Sequence, residues 1–327
     1  MQPAPLPTIR LSRFSPLFAA LILIAVGVSL ARTESVKSTI ERKEFQPAAS
    51  PTPEEQDDVV RVSTDLVIVN VTVLDKNGKF VPGLKRADFQ IFEDGAPQKI
   101  STFSAEETPF AAAILIDTSG SMESRLTLGR SAAIRFLDGL RDEDVAAVYS
   151  FDTRVEQLSD FSPGRDLPQR VYVLKTRTKT ALNDAIVRAA DDLAKRDEKR
   201  RAIVVLSDGG ENYSSASSDK ALDRASAANA TIYGANMAEK GPNRDLTGMA
   251  ILRNLAEKSG GRYVDAPGGL ELRDSFASIA EELGHQYTIG YRSTNRARDG
   301  KWRTVQVRSS KPEVTLRARK GYRAPKE

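Results

Sequence analysis

Between residues 111 and 283 short apolar runs alternate with amphipathic stretches, and no other feature of the chain constrains its fold as strongly. The runs at 111–117, 145–151, 202–207, 230–236 and 262–264 are short and mostly β-branched or Ala-rich, as buried strands are. The stretches at 126–140, 182–195, 219–229, 249–259 and 270–283 read as amphipathic helices. Strands and helices in alternation imply a doubly wound, mainly parallel sheet with helices on both faces. A run at 155–158, just after Phe151-Asp152-Thr153-Arg154, reads as an antiparallel edge strand. In such open sheets ligands bind in the crevice outside the carboxyl ends of the strands.

Three loops carry oxygen side chains that would meet at that edge. Asp117, Ser119 and Ser121 follow the run Ala111-Ala112-Ala113-Ile114-Leu115-Ile116, Thr180 precedes the helix starting at 182, and Asp208 closes the run at 202–207. One carboxylate and two hydroxyls at i, i+2 and i+4 suit a hard cation that takes oxygen ligands. The same residue types cap helices, so the first loop by itself leaves both readings open. With the other two loops added, the set resembles the von Willebrand factor type A (VWFA) domain and its metal-ion-dependent adhesion site (MIDAS), found also in integrin I domains. Asp117, Ser119 and Ser121 match the first loop of that motif, Thr180 the second and Asp208 the third. The resemblance implies that the three hydroxyls hold Mg²⁺ directly, with Mn²⁺ or Ca²⁺ fitting the same oxygens, while the two aspartates act through water or from behind. It also implies a protein partner that completes the coordination with a carboxylate. One departure stands out: Lys179 occupies the place of the second Gly in the family's Gly-Gly-Thr, so Thr180 reaches an ion only if that ammonium turns away.

The flanks read differently. Residues 59–108 are all-β in character, with Val67, Val69, Val71 and Val73 alternating with Ile68, Asn70 and Thr72. Asn77-Gly78 and Asp94-Gly95 are turn signals, and the second predicts a hairpin of 89–93 with 99–103. Strands return at 286–292, 302–309 and 314–319, within a segment spanning 285–327. Each flank is too small for its own core, so the two are expected to form one small β-sandwich into which the α/β unit, 109–284, is inserted. This order resembles the bacterial "VWFA-related" family described from acidobacterial genomes. The likeness runs from Val59 to Pro325 and includes Asp88-Phe89, Phe92-Glu93-Asp94-Gly95 and Lys320-Gly321-Tyr322. In related A-domains the last helix shifts on ligand binding. The resemblance therefore implies that 270–283, with Leu272, Phe276, Ile279 and Leu283 on one face, links site occupancy to the sandwich.

At the amino end Arg10 and Arg13 precede an apolar run at 17–31 with Ser29 and Ala31 in A-x-A-like positions. Residues 1–31 read as a signal peptide cleaved after Ala31, with an uncleaved signal anchor as the alternative; either places the rest outside the cytoplasm, in the periplasm or secreted. Residues 32–58, with Pro47, Pro51 and Pro53, read as a disordered linker. The absence of Cys excludes disulfides, thiol catalysis and lipidation at a lipobox. The 48 basic and 44 acidic residues are interspersed, and no nucleic-acid motif is present, so no nucleic-acid role is expected. His285 is the lone His and receives no role; G-x-S-x-G and P-loop motifs are missing, and Asp117 has no acid–base companion. The mixed charge run at 195–201 reads as a solvated loop, Trp302 as a sandwich side chain, and 214–218 as a loop ending in an N-cap. The sequence thus points to a non-enzymatic, exported or membrane-anchored protein that binds a protein partner through a divalent ion. The alternatives are a metal-independent structural component of a cell-envelope assembly and, last, a metal-dependent hydrolase. Oligomeric state is not legible in the sequence.

Overall fold

The computed structural model describes residues 66–105, 107–176, 179–238, 241 and 245–326. The expected signal segment, the linker and residues 59–65 lie outside them. Strands β1 (Leu66–Leu74), β2 (Phe89–Glu93), β3 (Ala96–Gln98) and β4 (Ile100–Ser104) come first. Then follow β5 (Phe110–Asp117), α1 (Leu126–Asp138), β6 (Val145–Phe151), β7 (Val155–Ser162), α2 (Gln169–Tyr172), α3 (Leu182–Leu193) and β8 (Arg200–Ser207). Next are α4 (Ser218–Ala227), β9 (Ala230–Asn236), α5 (Leu246–Ser259), β10 (Tyr263–Asp265) and α6 (Gly269–Gly284). The chain closes with β11 (Tyr287–Arg292), β12 (Trp302–Ser309), β13 (Thr315–Ala318) and β14 (Gly321–Arg323). Among these residues no helix is long and apolar enough to cross a membrane.

The α/β unit is built on a six-stranded sheet of order β10-β9-β8-β5-β6-β7. Five strands run parallel, and β7 returns antiparallel along β6 at the edge. Strand β5 is buried along its whole length because its alternate residues feed two cores. Ala112, Ile114 and Ile116 pack with Phe136 of α1 and Phe276 of α6, while Ala113 and Leu115 pack with Leu182 and Ile186 of α3, Leu222 of α4 and Leu252 of α5. From β5 the chain winds outward in two directions, to β6 on one side and to β8 and β9 on the other. The topological switch therefore lies between β5 and β8, where the ends of parallel strands leave a crevice.

Strands from both ends of the chain combine into two four-stranded sheets, β13-β1-β11-β4 and β14-β12-β2-β3, as expected. Their shared core holds Val69, Val71, Val73, Ile91, Ile289 and Tyr291. The hairpin differs from expectation. Asp94 and Gly95 take the left-handed conformation a two-residue turn needs, and the strand paired with β2 is β3, with Glu93 opposite Ala96. Pro97 lacks an N–H, which suits β3 to the sheet edge, and after Lys99 the chain crosses to pair β4 with β11 instead. The turn at Asn77-Gly78 leads to a single bridge, Leu74 to Phe80, and not to a second strand.

One expectation is refined and another corrected where the units meet. Trp302 belongs to sandwich strand β12, as expected, and packs against the α/β core. Arg200 is fully buried, not solvated: it donates to the carbonyls of Gly284, at 2.9 Å, and Gln286, satisfying orphan acceptors at the end of α6. Beside it Glu282 of α6 accepts from Thr72 of β1 at 3.0 Å and Tyr233 of β9 at 2.9 Å, and pairs with Arg317 of β13. One carboxylate thus binds both sandwich and α/β unit. Glu282→Ala is expected to cost about 3–5 kcal/mol by leaving Arg317 without its counter-charge. Urea unfolding measures this, and an unchanged midpoint would refute the assignment.

Candidate metal centre

Asp117 ends β5 and Asp208 follows the last residue of β8, so both emerge at the switch between these strands. Asp117 is wholly buried. Its Oδ1 accepts the Ser119 N–H at 2.8 Å, and its Oδ2 accepts the Ser207 hydroxyl at 2.5 Å, which ties the ends of the two strands together. Burial pushes the Asp117 carboxyl up to about 7, and the Asp208 charge adds to this, while hydrogen bonds from Ser207 and Ser119 pull the other way. The Ser119 and Ser121 hydroxyls stand 3.2 Å apart, the first residue buried and the second exposed. Ser119 sits where a short 3₁₀ turn (Gly120–Arg125) begins, yet its side chain makes no capping bond. The capping alternative therefore loses its main support, since a capping hydroxyl spends its lone pairs on nearby N–H groups.

The second and third loops are joined directly. Thr180, also buried, donates its N–H to Asn212 Oδ1 at 3.0 Å, and its carbonyl accepts the N–H groups of Asn212 and Tyr213, both at 3.1 Å. Gly210 lies between the candidate ligands. A Cβ there would stand 3.2 Å from Thr180 Oγ1 and 3.5 Å from Asp208 Oδ1, so both oxygens face one bare stretch of backbone. Asp152 links the first loop to the second: the Thr118 hydroxyl donates to its Oδ2 at 3.4 Å, and its carbonyl accepts the Ala181 N–H at 2.8 Å. Glu211 accepts the Asn183 N–H at the start of α3 and the Ser214 hydroxyl, both at 2.7 Å. The Lys179 ammonium lies over the Tyr213 ring, with Nζ 4.7 Å from its centroid, a favourable cation–π position.

These five residues offer only oxygen, three neutral hydroxyls and two carboxylates, a set suited to a hard divalent cation. Among the described residues no three His, Cys, Asp or Glu side chains gather as a possible metal cluster, so a cation here would rest largely on hydroxyls. The buried Asp117 has N–H and O–H donors from Ser119 and Ser207, and a nearby cation would favour its charged form. Sequence reasoning missed Ser207, Asp152, Gly210 and Glu211. Ser207, Gly210 and Glu211 flank Asp208 in the chain and were open to notice; Asp152 was not, because its link to Thr118 and Ala181 spans three separate loops. The lone His285 is engaged elsewhere, its Nδ1 2.7 Å from the Glu281 carbonyl and its Nε2 3.1 Å from Glu107.

Residues 112–211 match the family model described as the von Willebrand factor type A domain. No curated protein matches the chain. Among solved structures, an aerotolerance-related membrane protein from Bacteroides fragilis is similar at 19% identity, over 53% of this chain and 98% of that one, with a TM-score of 0.44. A von Willebrand factor type A protein from Catenulispora acidiphila is similar at 14% identity, over 81% and 75%, with a TM-score of 0.46. The PilB minor pilin from Streptococcus sanguinis is similar at 15% identity, over 56% of this chain and 63% of the pilin, with a TM-score of 0.45.

The third loop is held from below by α5. A Cβ on Gly248 would fall 1.7 Å from the Gly209 carbonyl oxygen, so helix and loop touch backbone to backbone. Gly248→Ala must push Asp208 and Gly210 out of place. It is expected to cost about 1–3 kcal/mol, read by chemical denaturation, and a neutral result would mean the contact is loose.

Proposed function

Because residues 112–211 match the von Willebrand factor type A domain, we propose that this protein binds another protein through a divalent cation held at the carboxyl edge of its α/β sheet. The observation that carries this reading is the convergence of three loops: Asp117 bonded to Ser207, Ser119 beside Ser121, and Thr180 facing Asp208 across Gly210. Ser119, Ser121 and Thr180 would hold the ion directly, with Asp117 and Asp208 acting through water. Mg²⁺ suits this count, since it keeps several waters and takes few carboxylates; Mn²⁺ and Ca²⁺ are the other candidates. Hydroxyl ligands are neutral, so the bound ion keeps most of its charge and attracts a carboxylate from the partner. The chain works outside the cytoplasm, in keeping with its amino-terminal signal reading, and performs no catalysis.

At Mg²⁺ a hundredfold above its dissociation constant, the native state gains about 2.7 kcal/mol, a rise in Tm of roughly 5–10 °C. Asp117→Ala and EDTA each abolish that rise. Calorimetry showing no uptake of Mg²⁺ or Mn²⁺ by the folded protein would falsify the reading and leave the metal-independent structural role.

The last helix fits a role in relaying occupancy. Arg125, just before α1, donates to the Pro267 carbonyl at 2.9 Å ahead of α6, and Glu282 at the far end of α6 pairs with Arg317 in the sandwich. A rotation of α6 would therefore tilt the sandwich. Small-angle scattering is expected to change when Mg²⁺ and a carboxylate-bearing ligand are both present, and superimposable profiles would remove this relay.

A further inference from the structure

In the sandwich, alternate residues of β2 and β12 point outward, Gln90 and Phe92 from the first, Thr304, Gln306 and Arg308 from the second. Strand pairing sets them in rows across the sheet. Phe92 stands opposite Pro97 of β3 on one side and Gln306 of β12 on the other, and Gln90 stands opposite Arg308. With neighbouring strands ~4.8 Å apart, the first row spans about 10 Å. Two depressions meet at Phe92. One, of about 600 Å³, reaches to Arg86, Gln90, Pro97 and Lys99; the other, of about 460 Å³, reaches to Thr304, Gln306 and Lys320. Among the described residues, no Asp or Glu lines either depression. Acids nearby in the chain are engaged elsewhere. Asp88 pairs with Lys311 at 3.8 Å, Asp94 accepts the Thr304 N–H at 2.8 Å, and buried Glu93 accepts the Tyr291 hydroxyl at 2.7 Å.

Arg308 is fixed in the middle of this face. Its guanidinium lies 4.5 Å from the Phe92 ring centroid, and its Nη2 donates to Gln306 Oε1 at 2.9 Å. Other arginines of the returning strands have carboxylate partners: Arg303 with Asp299, Arg317 with Glu282 and Arg323 with Asp223. Among the described residues no carboxylate pairs with Arg308, Arg86, Lys99 or Lys320. An arginine already ordered by stacking loses little freedom when it grips an anion, and its planar fork matches a carboxylate. We infer that this face, from Arg86 and Lys99 across Phe92 to Gln306 and Lys320, binds a polysaccharide bearing carboxylates. Arg308 grips a carboxylate at the centre, the outer cations attract the chain, and Gln90, Gln306 and Thr304 meet its hydroxyls. Other polyanions fit less well. Strand β2 is paired on both sides, so the face offers an extended acidic peptide no backbone partners. Single-stranded nucleic acid stacks its bases on open aromatic rings, whereas Arg308 covers the ring of Phe92. None of these residues belongs to the loops that carry Asp117, Thr180 and Asp208.

Titration calorimetry of the full chain in EDTA tests this, with an unesterified oligogalacturonate as the probe. Its methyl ester, poly-glutamate and a single-stranded oligonucleotide serve as comparisons. The unesterified sugar is expected to bind, less tightly as salt is raised, and the methyl ester to bind far more weakly. The combined variant Lys99→Ala, Arg308→Ala changes only exposed positions, and is expected to weaken binding about tenfold or more at an unchanged Tm. Arg308→Lys keeps the charge but loses the planar fork, and is expected to show part of that loss. The inference is overturned if the oligogalacturonate does not bind in EDTA, if its methyl ester binds equally well, or if the combined variant binds as the unsubstituted protein does. Tighter binding of poly-glutamate or the oligonucleotide, lost in the same variant, overturns it too and gives the face to that polymer. Because the cation is absent throughout, a failure here leaves the cation-dependent reading untouched.

Discussion

A carboxylate buried where two parallel strands diverge is the constraint on which the site depends. Asp117 ends a strand with no exposed residue, and its two oxygens are held by the Ser119 N–H and the Ser207 hydroxyl. Burying such a charge is unfavourable, as the raised pKa of about 7 records. The surroundings offset this only in part, with hydrogen bonds from neutral groups. Gly210 leaves room for Thr180 and Asp208 to face one another, and Gly248 lets α5 press against Gly209 so that the loop stays put.

Away from the site, the chain solves a different problem. Both flanks are too short to bury their own hydrophobic faces, and they do so jointly, with β1 paired to β11 and β2 to β12. That leaves Ile68, Asn70 and Thr72 on the outer face of β1, opposite the inward valines. Thr72 is buried all the same, because Glu282 of α6 reaches it across the junction. A carboxylate shared among Thr72, Tyr233 and Arg317 makes the junction polar but ordered, and such networks are favourable only when their members are satisfied. Arg200 extends the same logic by capping α6 from within the α/β core.

Much of this was open to reading in the chain. Period-two alternation identified the inward valines of β1, and helical spacing identified Leu272, Phe276, Ile279 and Leu283, all fully buried. Both follow from local geometry, in which side-chain direction is set by the backbone repeat. Ser217 caps α4 through the Lys220 N–H, as its place before an amphipathic stretch suggested. Where the reading went astray, long-range partners had overruled local signals. The charge run 195–201 looked solvated because charged residues are rarely buried, yet Arg200 finds acceptors at the end of α6, more than eighty positions away in sequence. The hairpin at Asp94-Gly95 was foreseen, but its second strand was misplaced, since Lys99 sends the chain to the opposite sheet.

The sequence by itself determined the order of strands and helices and the three oxygen-bearing loops, because both are set by residues adjacent in the chain. It also exposed the substitution at Lys179 as a problem. Only the tertiary structure decided where that ammonium goes: over the ring of Tyr213, a residue of another loop. It alone decided that Ser119 leaves its hydroxyl out of helix capping. The physical reason is common to both. A side chain's local preference is a matter of its own backbone, whereas its role depends on neighbours brought near by packing of the whole sheet.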